Sequence, residues 1–308
     1  MEPFTLTLSN NGTVAGLHSL PPPPSSTSPK HRPLIVALHG GTYDCHYFDA
    51  TPRYSASHIS AAFGVPFIAI DRPCYGGTTS FLPVPKGSTF NEETGRWLHE
   101  YILPALWQEF GVPNNCKSIV LFCHSFGTMG GSVAAALHAE ETNPAYPLAG
   151  LIASSMGDKQ NARTKGTPPM LPNAGPEHVL FALPLKDHVM FKPGTIETAV
   201  LEQSQRLNAV SPAAELYEYP KWLGVWKEWA AKVKAPVMFA LVEDDVFFES
   251  TEEEVKICRA AFAKSPRVDG SLVRGAPHCM ELSYWSQGWY ARCFGFAMEC
   301  AAGVGVSS

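Results

Sequence analysis

Six short apolar runs divide the chain: LIVALHG (34–40), PFIAID (66–71), SIVLFC (118–123), LAGLIAS (148–154), PVMFALV (236–242) and RVDGSLV (267–273). Most are rich in Val, Ile, Leu and Phe and show little alternation. That pattern predicts strands buried on both faces, as in a parallel sheet. Helix-compatible stretches lie between them, at about 46–62, 91–110, 126–141, 222–233 and 251–263, with a last one over 283–301. Ahead of the first run, FTLTLS, then Asn10-Asn11-Gly12, then TVAGLHSL read as a β-hairpin with an Asn-Gly turn. Strand and helix alternate thereafter, so the expected class is α/β, a mostly parallel doubly wound sheet with a leading antiparallel hairpin.

Two stretches break this rhythm. Pro21-Pro22-Pro23-Pro24 and the following SSTSPKHRP form a loop of polyproline and serine character, too short to link domains. From Met156 to about Pro220 no buried strand is visible; prolines punctuate apolar fragments such as EHVLFALPL and TAVLEQSQRL. A structureless loop of that length is foreign to a compact domain. Residues 156–220 are therefore expected to be a small helical cap, inserted into a core made of residues 1–155 and 221–308.

Composition narrows the function classes. The 308-residue chain is 45% hydrophobic and 17% charged, enough for a full core. Its formal net charge of −5 and pI near 6.1 provide no electrostatic basis for binding nucleic acid or an anionic membrane. No apolar stretch approaches the roughly 20 residues of a membrane span. The N-terminus lacks the basic and apolar regions of a secretory signal. Eight scattered cysteines without CxxC pairs point to reduced thiols in the cytoplasm and to neither a disulfide scaffold nor a zinc site.

Ligands of an open parallel sheet sit beyond the carboxyl ends of its strands, and the chemistry collects there. His39-Gly40-Gly41-Thr42 follows the first run. Asp71-Arg72-Pro73-Cys74-Tyr75-Gly76-Gly77 follows the second, and His124-Ser125-Phe126-Gly127 the third. Glu243-Asp244-Asp245 follows the fifth, and Arg274-Gly275-Ala276-Pro277-His278 the last. A serine, an acid and a histidine fall in that order on one edge of the sheet.

From about residue 34 to the C-terminus the chain resembles the α/β-hydrolase fold family. The family's nucleophile elbow is small-x-Ser-x-small between a strand and a helix. Cys123-His124-Ser125-Phe126-Gly127 is similar, with Cys123 where the family most often has Gly. Gly127, Gly130 and Gly131 suit the close helix packing that follows the elbow. HGG resembles the family's oxyanion loop and DRPCYGG its DRPGYG loop, and the order serine, acid, histidine is the family's.

The resemblance implies Ser125 as nucleophile, His278 as general base and Asp245 as the orienting acid, with Asp244 and Asp158 as alternatives for the acid. It implies an oxyanion hole from the backbone N–H groups of Gly41 and Phe126. His39 and His124 read as structural neighbours of these motifs; His178 and His188 fall in the cap. No cofactor is needed. The implied reaction is hydrolysis of an ester, lactone or thioester through an acyl-enzyme, with C–C bond hydrolysis, a hydroxynitrile-lyase-like reaction or a non-catalytic small-molecule receptor as alternatives. Apolar residues Tyr43, Met190, Phe191 and Phe247, with Phe181, Leu183 and Trp285, suggest an apolar or aromatic small-molecule substrate; each is also explained by packing the cap onto the core. A homodimer is left open.

Overall fold

The computed structural model describes residues 1–22, 31–162, 175 and 177–306. In chain order the strands are β1 (Glu2–Thr7), β2 (Thr13–Ser19), β3 (Arg32–Leu38), β4 (Phe67–Ile70), β5 (Cys116–His124), β6 (Leu148–Ser154), β7 (His178–Val179), β8 (Ser211–Pro212), β9 (Val237–Val242) and β10 (Val268–Val273). The helices are α1 (Ser57–Phe63), α2 (Phe90–Trp97), α3 (Leu103–Leu106), α4 (Gly127–Glu140), α5 (Leu183–Met190), α6 (Thr198–Leu201), α7 (Ala213–Ala230), α8 (Glu252–Ala261) and α9 (Ser286–Val306).

Eight strands form one sheet in the order β1-β2-β4-β3-β5-β6-β9-β10. β1 and β2 pair antiparallel, β2 joins β4 antiparallel, and every later pairing is parallel. The hairpin turns at Asn11, whose left-handed backbone (φ 63°) suits the Asn-Gly pair.

The unbroken apolar runs have a simple physical origin. Successive strand residues point to opposite faces, and both faces here carry a core. Leu34, Val36 and Leu38 of β3 join Ile119, Leu121 and Cys123 of β5 beneath α4, α7 and α8. The intervening Ile35, Ala37, Val120 and Phe122 pack on the other face with Trp289, Tyr290 and Phe294 of α9. Each fully buried large side chain contributes about 1.5–3 kcal/mol relative to exposure. β3 leads to α1 on the α9 face and β5 leads directly into α4 on the other, so a crevice opens between the carboxyl ends of β3 and β5.

The helix expectations hold for 91–110, 126–141, 251–263 and 283–301 within a few residues, the first as α2 and α3 joined and extended by π-helical turns. The stretch 46–62 departs: a 3₁₀ turn (Cys45–Phe48) and α1 are separated by residues 49–56, where Asp49 bridges Ser55. Pro52 lies in that gap and cannot continue a helix. The helix expected at 222–233 begins earlier, at Ala213, and runs through Pro220. Glu215, Trp222, Trp226 and Ala230 bury one side of it, and this packing outweighs the single N–H that proline lacks. EHVLFALPL is not one helix; His178–Val179 pairs with Ser211–Pro212 before α5 starts.

The polyproline loop at 23–24 and beyond, and residues 163–174 and 176 of the expected cap, lie outside the described residues. The described part of the segment between β6 and β9 touches the loops after β3, β5, β9 and β10. Lys186 reaches Thr42, Tyr219 stacks on Phe126, Lys192 meets Asp244, and the Tyr284 N–H donates to the Thr195 carbonyl. Those loops share the carboxyl edge of the sheet. Among the described residues, no helix is long and apolar enough to cross a membrane.

Candidate active site

β5 ends in a turn sharp enough to force Ser125 into the left-handed region, φ 49°. A side chain rarely adopts that conformation, and a cost of roughly 1–3 kcal/mol persists only where the surroundings impose it. They do so here. The Ser125 N–H still pairs with the Ser154 carbonyl of β6 (2.8 Å), while its own carbonyl already accepts the Thr128 N–H of α4 (2.9 Å). A Cβ on Gly127 would lie 2.4 Å from the Leu38 carbonyl oxygen, so only glycine lets α4 start this close to β3. A Cβ on Gly131 would lie 2.4 Å from the Cys123 sulfur. Cys123, larger than the usual glycine, therefore fits because the facing helix position has no side chain.

His278 Nε2 stands 3.0 Å from Ser125 Oγ, and its Nδ1 stands 2.8 Å from Asp245 Oδ2. With a carboxylate at Nδ1, that nitrogen carries the proton, leaving Nε2 as acceptor for the serine hydroxyl. Asp245 Oδ1 accepts the backbone N–H of Phe247 (2.8 Å), which fixes the carboxylate from its other side. The Ser155 hydroxyl donates to the His278 carbonyl at 3.0 Å. All three principal side chains are buried: Ser125 7%, Asp245 2% and His278 5% exposed. Asp244 points away and pairs with Lys192. Asp158 is occupied elsewhere, accepting the Trp226 indole N–H at 2.8 Å and the Lys227 ammonium at 2.7 Å. Of the three candidate acids, only Asp245 reaches the histidine.

Gly41 and Phe126 are adjacent: a Cβ on Gly41 would lie 2.9 Å from the Phe126 ring. Neither backbone N–H has an acceptor among the described residues. His39 donates from Nδ1 to the Gly40 carbonyl (2.7 Å) while its Nε2 accepts the Arg72 N–H (3.1 Å). Burial lowers the pKa of His39 to about 3, so the ring is neutral and keeps this tautomer. His124 is likewise held neutral by burial; it stacks on Tyr47 and lies edge-on to His278.

Phe247 lies edge-on to the His278 ring (4.8 Å between centres). Tyr43 is buried between Tyr47 and the Lys186 ammonium. Met190 and Phe191 pack against the α9-side core. Phe181 is also buried, and Trp285 is half-buried. Neither His178 nor His188 is fully buried.

Sequence reasoning did not find Ser155, Lys186, Ser211 or Tyr219. Ser155 had a readable signal, a polar residue just past a buried strand. Lys186, inside LPLKDHVM, had none. One group of metal-ligand type occurs among the described residues, Asp44, Cys45 and His46. Asp44 already caps the 3₁₀ turn through the His46 N–H and pairs with the His46 ring, so these groups satisfy one another without an ion.

A sequence profile described as the alpha/beta hydrolase family matches residues 35–290. The chain belongs to the alpha/beta hydrolase family. Solved structures with the same fold include a soluble variant of monoglyceride lipase from Saccharomyces cerevisiae (14% identity, 97% of this chain and 94% of that one covered, TM-score 0.69). They also include an N-acyl homoserine lactonase (15%, 97% and 97%, TM-score 0.60) and a monoacylglycerol lipase from Paleococcus ferrophilus (15%, 97% and 100%, TM-score 0.59). No curated protein sequence matches the chain significantly. Membership of this family supports a hydrolase.

Proposed function

We propose that this α/β hydrolase is a serine hydrolase that cleaves an ester, lactone or thioester of a small apolar or aromatic substrate through an acyl-enzyme on Ser125. The observation that carries the reading is the unbroken line Asp245–His278–Ser125, with contacts of 2.8 and 3.0 Å, ending on a strained elbow. A serine hydroxyl is a weak nucleophile until a base takes its proton. His278 Nε2 takes it as Oγ attacks the substrate carbonyl, and Asp245 stabilises the imidazolium. The oxyanion accepts the Gly41 and Phe126 N–H groups, whose freedom from other acceptors suits that use. The imidazolium then protonates the leaving group, and a water activated by the same histidine releases the acid.

The segment between β6 and β9 serves as the cap, enclosing the serine so that discrimination is made in an apolar pocket. Phe247, edge-on to His278, and Phe126, with Tyr219 stacked on it, supply aromatic surface beside the reacting atoms, and Tyr43, Met190 and Phe191 are the further apolar residues proposed for the pocket. The lipases and lactonase of the same fold carry acyl-ester and lactone chemistry in their names; at 14–15% identity they support the bond class and not a substrate.

The test is a hydrolysis screen over aryl esters, lactones, thioesters and vinylogous 1,3-diketones, together with fluorophosphonate labelling. Ser125→Ala is expected to abolish labelling and to lower turnover roughly 10⁴-fold or more with the fold retained. Turnover confined to the diketones would replace ester hydrolysis by C–C cleavage. Wild-type rates in Ser125→Ala, or a chain that neither labels nor turns over any class, would overturn the reading.

A further inference from the structure

Thr42, next to the oxyanion-loop residue Gly41, has a backbone that its side chain disfavours. Its φ is 67°, and a β-branched residue in the left-handed region is an outlier. It is also 2% exposed, and its hydroxyl has no partner among the described residues. Local sequence does not explain this conformation, so something else must hold it.

Three groups from the segment between β6 and β9 converge on this one residue. The Thr42 N–H donates to Ser211 Oγ at 3.0 Å. The Thr42 carbonyl accepts the Ala209 N–H at 3.0 Å and the Lys186 ammonium at 2.7 Å. Lys186 is 1% exposed; among the described residues it also donates to the Leu207 carbonyl at 2.6 Å and lies over the face of the Tyr43 ring at 3.7 Å. Among the described residues, no carboxylate pairs with it at salt-bridge distance. Taking an ammonium out of water without a counter-ion is expensive, and folds rarely retain one unless it does something there.

What it can do follows from the peptide planes. The Gly40–Gly41 plane is fixed from the core side, where His39 holds the Gly40 carbonyl. That carbonyl and the Gly41 N–H are on opposite sides of a trans peptide. The Gly41–Thr42 plane is fixed from the other side by Ser211. Holding the Thr42 carbonyl sets the remaining freedom of the loop. An oxyanion donor that is tilted or moved out of reach of the oxyanion loses its value, because the bond is directional and acts in a dry site.

We propose that Lys186 is a positioning residue for the oxyanion loop: by holding the Thr42 carbonyl it keeps Thr42 in its strained conformation and aims the Gly41 N–H at the reacting carbonyl oxygen. This rests on the serine-hydrolase reading, and its test separates the two. Lys186→Met should lower kcat for p-nitrophenyl butyrate about 10²-fold, the value of one oxyanion donor, with KM changing by less than about threefold. Adding Thr42→Gly, which occupies the same backbone region without strain, should recover at least about tenfold of that loss. Lys186→Arg, which can still donate to the carbonyl, should retain more activity than Lys186→Met.

Amide hydrogen exchange over residues 39–47 gives a readout independent of turnover: it should quicken in Lys186→Met and not in Ser125→Ala. If wild type neither hydrolyses the ester nor labels, the functional reading fails while the exchange result still decides whether Lys186 holds the loop. If Lys186→Met is folded and keeps its kcat, or loses only KM, or leaves exchange over 39–47 unchanged, the positioning role is wrong. Should Lys186→Met not fold, Lys186→Arg and Thr42→Gly/Lys186→Arg carry the same comparison: quicker exchange together with a lower kcat in the first, both recovered in the second, supports the role, whereas faster exchange with unaltered kcat, or a lower kcat that Thr42→Gly does not recover, refutes it.

Discussion

A buried lysine leaves a signature in the pH dependence of stability. Burial lowers the Lys186 pKa from 10.5 to about 7, against the smaller opposing pull of Cys279, Asp187 and Asp44. The folded chain thus sheds this proton near pH 7, while the unfolded chain holds it up to about 10.5. Between those values the unfolded state binds more protons, so stability rises with pH across the window; below about pH 7 the penalty of burying the charge is present in full. Compared with Lys186→Met, the wild type should gain as the pH is raised from 7 to 10, by up to about 1.4 kcal/mol per unit. Urea midpoints of both proteins at pH 6.5 and 9.5 measure it, and a difference that does not move with pH would contradict it. Nothing in LPLKDHVM announces this residue, because its partners are backbone carbonyls, which every residue has. Ser125, Asp245 and His278 were candidates in the sequence for the opposite reason: each lies a few residues past the end of an apolar run, where reactive groups of a parallel sheet collect, and their order resembles the family's. The family-like spacing after β9, with Val242 at the glycine position, favoured Asp245 and kept Asp244 as the alternative. The separation comes from the turn, in which Asp244 takes φ 60° and faces Lys192 while Asp245 turns inward.

At the scale of elements, α7 is attached to the core by charge as well as by apolar packing. Glu215, fully buried near its start, takes both terminal nitrogens of Arg72 and the Tyr75 hydroxyl, and all of these groups are shielded from water. A pair of this kind adds little over apolar residues of the same shape, yet breaking it strands a charge. Glu215→Leu and Arg72→Met should therefore each destabilise the fold by about 3–5 kcal/mol, whereas the two combined should cost less than either single change. Denaturant titration of the four proteins completes the cycle; additive losses would mean that the ion pair is not the attachment. The extent of α7 was hidden in the sequence by Pro220, which reads as a stop although packing of Trp222 and Trp226 carries the helix through. The central strands β3, β4, β5, β6 and β9 were legible because each is apolar on both faces, and the β1–β2 hairpin because of its Asn-Gly turn. The 3₁₀ turn and the two-residue strands were not, since they are set by long-range pairing rather than by periodicity.

Across the whole molecule, the two cores divide the cysteines. Cys116, Cys123 and Cys258 belong to the α4 face, and Cys45, Cys279, Cys293 and Cys300 to the α9 face; Cys74 is buried in the loop after β4. All eight are free, and burial raises the pKa of every one. A thiol reacts as its thiolate and only where a reagent can reach it. The native protein should consequently be silent toward a maleimide at pH 7.5, and each alkylated sulfur records a molecule that has opened at that place. Mass-resolved labelling in rising urea then becomes an internal clock for the two layers: simultaneous modification of both sets means that the sheet and its helices come apart as one cooperative body, and a lead by either set identifies the layer that peels away first. Rapid labelling of several sulfurs without denaturant would show that the native layers are looser than this packing implies.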